Sequence, residues 1–362
     1  MKIKYIAFYL PQFHSIPEND EWWGKGFTDW VNVKRAKPLF KGHNQPRIPL
    51  NNNYYDLAKP DTLRWQASLM AKYNVYGLCF YHYWFNGKLL LEKPSEILLK
   101  NKDIKMNFCF SWANEPWART WDGKNKHILM SQEYGNEEDW KKHFDYVLPF
   151  FKDERYIKVN NKPMFLIYKS TSIPCLKELV EIWNQMAVEN GFEGIHFVET
   201  IRSREKDNRN IPFGGKVEFE PARSGYNQSY LQLTYKRIRR RFISLVNKAF
   251  HTSIPYNKPI AFKEMARLSL AKSSGKGTYG GVFLGWDNTP RRKLASTVIL
   301  YPTKDEFRWY LKVKSEQTIN TYKTSYVFIN AWNEWAEGTM LEPDVTNNFS
   351  YLEVIKELSE EL

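Results

Sequence analysis

The chain has 362 residues, an apolar fraction of 43% and a formal net charge of +13. That length suits one large domain or two small ones, and that apolar fraction buries a sizeable core, which excludes wholesale disorder. The cationic excess admits nucleic acid, an anionic membrane surface or an acidic ligand as partner, so its distribution along the chain matters more than its sum.

Apolar runs alternate with helical stretches from one end to the other. Ile3–Leu10 reads as a strand ending in Pro11-Gln12-Phe13-His14. A helix over Thr62–Tyr73 leads to a second strand, Val75–Phe85, whose end Tyr81-His82-Tyr83-Trp84-Phe85 is an aromatic cluster. Met106–Trp112 is the third, running into Ala113-Asn114-Glu115. Helices over Glu137–Phe151 and Leu176–Asn190 precede the fourth, Met164–Tyr168, and the fifth, Ile195–Glu199. Val217–Phe219 is a short sixth ending in Glu220-Pro221, and Val282–Trp286 a seventh ending in Asp287-Asn288. After a helix over Lys304–Asn320 comes the eighth, Tyr326–Ala331, and Tyr351–Leu362 closes the chain as a helix.

Continuously apolar strands separated by helices indicate a parallel sheet buried on both faces. Eight such units predict an α/β fold of one kind, a single (β/α)8 barrel over residues 1–362 with long βα loops forming a cleft at its C-terminal face. The strand ends support this, because His14, His82, Asn114, Glu115, Glu199, Glu220, Asp287 and Glu334 would gather around one mouth.

The strongest chemical signal is Trp332-Asn333-Glu334-Trp335-Ala336-Glu337-Gly338, just past the eighth strand. In a helical or tight-turn form, Glu334 and Glu337 share a face. Two carboxyls in one cleft are what glycosidic-bond chemistry needs: one handles the leaving-group proton, the other acts on the sugar. Trp332 and Trp335 would wall the site and raise a Glu pKa by excluding water. The bland alternative is a helix start carrying acids at its positive end. Glu342 adds acid nearby. A second constellation, Ser111-Trp112-Ala113-Asn114-Glu115-Pro116-Trp117-Ala118-Arg119-Thr120-Trp121-Asp122-Gly123, alternates indoles with hydrogen-bonding groups, as a sugar-binding loop does; a loop pinned by Trp is the alternative. In Trp286-Asp287-Asn288-Thr289-Pro290-Arg291-Arg292, Asp287 and Asn288 fit hydroxyls, and Arg291 or Arg292 fits a phosphate, a carboxylate or a salt-bridged turn. The candidate binding set is therefore His14, Tyr81, His82, Trp112, Asn114, Glu115, Arg119, Trp121, Glu220, Trp286, Asp287, Arg291, Trp332, Asn333, Trp335 and Glu342, with Glu334 and Glu337 as catalytic candidates.

Residues 235–250 join Lys236, Arg237, Arg239, Arg240 and Arg241 to Ile238, Phe242, Leu245, Val246 and Phe250 at helical spacing. A peripheral contact with an anionic membrane and a solvated covering helix both fit this pattern. No nucleic-acid motif accompanies it, so nucleic acid is not expected. The seven His form no metal-ligand spacing, Cys79, Cys109 and Cys175 pair in no redox or metal motif, and Gly275-Lys276-Gly277 lacks the rest of a phosphate loop; neither metal nor cofactor is expected. The chain enters its first strand at once with no apolar run of spanning length, which points to a cytoplasmic protein, or one at the inner face of the membrane.

Tyr5–His14, Glu18–Thr28, Phe80–Gly87, Trp112–Gly123, Trp286–Arg291 and Trp332–Gly338 together resemble the WbsX-type proteins, a glycoside hydrolase family 99-like group from bacterial polysaccharide and O-antigen loci. The resemblance implies a (β/α)8 barrel related to the endo-α-mannosidases, which retain configuration through the substrate's own 2-hydroxyl and a 1,2-anhydro sugar. It gives Glu334 the task of polarising or deprotonating that hydroxyl and Glu337 that of general acid and then base. The expected partner is an oligosaccharide or a lipid-linked glycan, the latter because the hydrolytic relatives are secreted or lumenal and no export signal is read here.

Overall fold

A computed structural model describes residues 2–119, 127–203, 207–225 and 230–362. Eight parallel strands close on themselves: β1 (Lys4–Tyr9), β2 (Gly77–Phe85), β3 (Asn107–Trp112), β4 (Lys162–Ile167), β5 (His196–Ile201), β6 (Gly215–Glu218), β7 (Thr278–Phe283) and β8 (Tyr326–Asn330). Each pairs with the next, and β8 pairs with β1 in the register Lys4 to Tyr326 through Ala7 to Ile329, which leaves the barrel no edge. The predicted (β/α)8 barrel is the observed fold.

Helices cover the outside. They are α1 (Pro60–Lys72), α2 (Lys93–Lys100), α3 (Glu137–Phe151), α4 (Leu176–Glu189), α5 (Tyr230–Phe250), α6 (Phe262–Leu270), α7 (Lys304–Gln317) and α8 (Ser350–Glu361). Two starts are set by reciprocal capping: Asn136 with Asp139 opens α3, and Thr303 with Glu306 opens α7. With helices outside and side chains filling the lumen, the strands are buried along nearly their whole length. This is why they read as unbroken apolar runs.

Three elements differ from expectation. α2 and α6 are short and were not anticipated. β7 begins at Thr278, ahead of the expected Val282, because Gly280 and Gly281 occupy its middle and leave no apolar signal. The glycines are required by space: a Cβ on Gly281 would sit 1.8 Å from the Glu218 carbonyl oxygen on β6. The Glu218 carboxylate lies beneath, fully buried, and accepts hydrogen bonds from Lys314 (2.7 Å), Tyr322 (2.7 Å) and Ser274 (2.6 Å). Gly281→Ala therefore forces β6 and β7 apart and is expected to cost about 1–3 kcal/mol or more; an unchanged urea midpoint would show that the strands part freely.

Candidate active site

A cleft of about 540 Å3 opens at the C-terminal ends of the strands, within the range of small-ligand sites. Its lining follows a single geometric rule. Successive side chains on extended backbone point to opposite sides, so each strand end sends alternate residues into the cleft. After β1, Leu10 and Gln12 face it; from β2, Tyr81, Tyr83 and Phe85; after β3, Ala113, Glu115 and Trp117; after β7, Trp286 and Asn288.

The same rule turns away several residues expected at the substrate. His82 bonds His143 (2.8 Å), and Trp84 stacks on that second imidazole at 4.5 Å. Burial without a carboxylate pulls His82 down to about 3, so it stays neutral. Trp112 donates its indole N–H to the Trp84 carbonyl, and Asn114 is held by the Lys169 N–H and carbonyl, both at 2.8 Å. Asp287 accepts from His43, Gln45 and the Thr289 N–H. Glu220 is held by Arg223, Ser224 and Ser269, while the preceding Phe219 lines the cleft. Asn333 fastens the end of β1 through the Leu10 N–H and carbonyl. His14 is buried outside the lining. Trp121 and the Arg119 side chain lie outside the described residues. Of the candidate set, the structure brings Tyr81, Glu115, Trp286, Arg291, Glu334 and Glu337 together around the cleft.

The catalytic candidates are placed by the turn after β8. Asn333–Glu334 pairs antiparallel with Thr339–Met340, and Trp335–Glu337 forms a 3-10 turn between them. In a 3-10 turn, residues three apart eclipse, so both carboxyls face the cleft. Gly338 closes the turn at φ 58, where a Cβ would come within 2.8 Å of the Asp287 side chain. Trp332 and Trp335, expected to wall the substrate, lie behind this turn, fully buried. Their indoles donate to Glu342 at 2.9 and 2.7 Å, and Gln66 and Tyr55 donate to the same carboxylate at 2.7 and 2.8 Å. Burial pushes Glu342 up to about 7 against the pull of those four donors. Glu342 is thus a buried anchor for the turn that carries Glu334 and Glu337, outside the cleft lining.

Arg291 joins the two Glu. Its guanidinium donates to Glu337 at 2.8 Å and to Asp29 at 2.6 Å, and it approaches Glu334 Oε2 to 3.8 Å. Asp29, buried at the start of a short helix after β1, carried no signal that separates it from an ordinary helix-start acid. Three carboxyl groups thus surround one guanidinium. Burial raises the pKa of both Glu, and their mutual repulsion adds to the rise at Glu334, which is lifted furthest. Arg291 opposes the shift, most directly at Glu337, its hydrogen-bonded partner. Glu334 Oε2 is buried with no partner. The pair therefore titrates as a unit that holds a proton well above the ordinary carboxylate range.

The opposite wall is aromatic and cationic. Trp117 packs against Tyr83 at 5.1 Å, and Tyr168 against Phe219 at 5.3 Å. Arg202 grips Glu115 with two bonds of 2.8 and 3.0 Å and lies over the Tyr168 ring at 4.4 Å. Among the described residues, no group of three or more His, Cys, Asp or Glu is arranged to hold a metal ion.

Glu342→Gln presents an amide N–H to donors that need an acceptor and orphans at least one of them. Its expected cost, at a pH above about 7, is roughly 1–3 kcal/mol of stability. A chemical-denaturation curve superposing on wild type would show that the four donors do not depend on a carboxylate.

Comparison with known proteins gives this architecture a context. Among solved structures, the GH99 endo-alpha-mannosidase from Bacteroides thetaiotaomicron bound to BIS-TRIS-propane matches over 100% of this chain and 98% of its own, at TM-score 0.62 and 16% identity. A glycoside hydrolase-like protein matches at TM-score 0.60 and 12% identity, over 99% of this chain and 94% of its own. At these identities the likeness is one of fold. The uncharacterized protein WxcX of Xanthomonas campestris pv. campestris is 38% identical over 355 residues, which is 97% of this chain and 49% of that protein, so the chain spans about half the length of the curated relatives it matches. The family model described as Glycosyltransferase WbsX matches residues 5–355, and the chain belongs to that family.

Proposed function

We propose that the chain is a retaining glycosidase-like enzyme acting on an α-linked, mannoside-like glycan in bacterial surface-polysaccharide metabolism, with Glu334 and Glu337 as its catalytic pair. The observation that carries this reading is the placement of two buried carboxyls in one cleft around the Arg291 guanidinium. Two cleft carboxyls with raised pKa values around one guanidinium supply an acid and a base at neutral pH.

In the resting site the proton favours Glu334, since Arg291 stabilises the charge on Glu337. A substrate 2-hydroxyl donating to the unpartnered Glu334 Oε2 favours the ionised form there and shifts the proton toward Glu337. The first step then balances. Glu334 takes the 2-hydroxyl proton, O2 attacks C1, the C1–O glycosidic bond breaks, and Glu337 protonates the departing oxygen. In the second step Glu337 takes a proton from water as it adds to C1, the C1–O2 bond breaks, and Glu334 returns the proton to O2. Tyr83, Trp117 and Trp286 offer faces for sugar rings.

One observation favours a second reading. The matching family is described as a glycosyltransferase, and an acceptor hydroxyl replacing water in the second step gives transfer by the same groups. Turnover of α-linked oligosaccharides and lipid-linked glycans, with and without acceptor sugars, separates the two. Glu337→Gln is expected to lower turnover by about a hundredfold or more. Product formed only with acceptor selects transfer, and sugar binding without turnover by either protein would leave a glycan-binding barrel.

The pH dependence tests the electrostatics. Activity needs a singly protonated pair, so its profile is bell-shaped. Arg291 stabilises the ionised forms; removing it makes both protons harder to lose. Arg291→Gln is thus expected to move both limbs to higher pH, by roughly 1–3 pH units. A profile that keeps its position would separate Arg291 from the ionisation of the pair.

A further inference from the structure

The exposed apolar side chains of this molecule are unevenly spread. On α5, Tyr235, Ile238, Phe242 and Leu245 recur at three- and four-residue spacing and face solvent, with Ile238, Phe242 and Leu245 exposed to 62, 65 and 67%. A helix that merely covers a barrel turns such a stripe inward. Here Ile243 alone, among the described side chains of Tyr235–Phe250, is fully buried, and the larger stripe points outward. Arg237, Arg241 and Lys248 are exposed beside it. The sequence contains no Asp or Glu between Glu220 and Glu264, so nothing within this stretch offsets its cations. A neighbouring groove of about 740 Å3, which Tyr235 and Arg239 of α5 help to line, brings Lys258, Lys263 and Arg267 near against a single acid, Glu264.

We infer that α5 is the docking element of this protein for an anionic phospholipid bilayer. The apolar stripe enters the acyl boundary and the flanking cations meet lipid phosphates. Charge complementarity selects this occupant: a strongly cationic face repels a second copy of itself, while an anionic surface attracts it. No helix among the described residues is long and apolar enough to cross a membrane, so the association is peripheral.

The placement bears on the cleft. Ala222 lines the cleft, and α5 begins five residues after Gly225, the end of the short helix that Ala222 opens. Beyond α5, the Tyr256 and Ile260 N–H groups bond the Leu294 and Val298 carbonyls, both at 2.9 Å, in the loop that also carries Trp286 and Asn288. Docking through α5 thus sets the cleft mouth beside the bilayer, where a glycan on a lipid carrier is presented.

Flotation of the full chain with phosphatidylcholine vesicles, and with vesicles that also contain phosphatidylglycerol, tests this. Binding is expected only with the anionic lipid and should weaken as salt rises. Phe242→Ser should weaken it about tenfold, and Arg237→Glu with Arg241→Glu about a hundredfold or more. Both variants should keep the melting temperature and the turnover of a soluble oligosaccharide, since the changed side chains are exposed and outside the cleft. Failure to float with anionic vesicles, flotation indifferent to both variants, or an apolar stripe consumed by self-association that Phe242→Ser abolishes would each overturn the assignment. None of these outcomes bears on catalysis by Glu334 and Glu337.

Discussion

The candidate site is built around an excess of acid. Arg291 is ringed by Asp29, Glu334 and Glu337, and one positive charge cannot balance three negative ones in a site largely closed to water. The surplus is relieved by keeping a proton. Because Asp29 bonds the guanidinium directly at 2.6 Å, it uses up part of Arg291's capacity to ionise the other two acids. This buried carboxylate thereby adds to the upward shift at Glu334 and Glu337. Without Asp29, Arg291 would hold Glu337 ionised more strongly; without Arg291, Glu334 and Glu337 would lose the cation that opposes their upward shift.

The barrel was legible because parallel strands buried on both faces leave a plain record of unbroken apolar runs. β7 was misplaced where that record fails, at Gly280-Gly281, since the space beside them belongs to Glu218 and its ion pair. The Glu334–Glu337 pair was legible too, from two acids three apart beyond a strand. What the sequence reading lacked was parity. It took whole strand ends as cleft residues, whereas extended backbone admits every second one. Glu115 and Trp286 face the cleft, and Asn114 and Asp287 brace it from behind. Asn288 and Trp117, which the sequence offers within their motifs, line the cleft, and so does Tyr83 from the aromatic end of β2. Asp29 is a different case, for its link to Arg291 spans 262 residues and leaves no local trace.

The aromatic excess has two sources that the sequence alone merges. Of the 14 Trp, Trp112, Trp183, Trp332 and Trp335 are fully buried. A buried indole needs an acceptor for its N–H, so it stands near polar residues for reasons unrelated to sugar. Trp183 donates to the Trp140 carbonyl, and Trp332 and Trp335 share Glu342. Trp117 and Trp286 line the cleft. Adjacency of Trp to polar groups thus marks both the foundation of the catalytic turn and the wall above it.

Under the proposed roles of Glu334 and Glu337, exposure separates the two carboxyls in a way that bears on hydrolysis against transfer. The Glu334 side chain is 8% accessible and that of Glu337 25%. A group acting on the substrate's own hydroxyl needs no route for an outside molecule, and Glu334 has little. A group that first protonates a departing oxygen and then activates an incoming one needs such a route on its side, and Glu337 has it. Both reactions share this asymmetry, so the two carboxyls do not choose between water and sugar. That choice falls to whatever lines the approach to Glu337, where Trp286, Asn288 and Arg292 stand. A ring stacked on Trp286 would displace water and present its hydroxyl to the same base, and a bare indole face would leave the base to water.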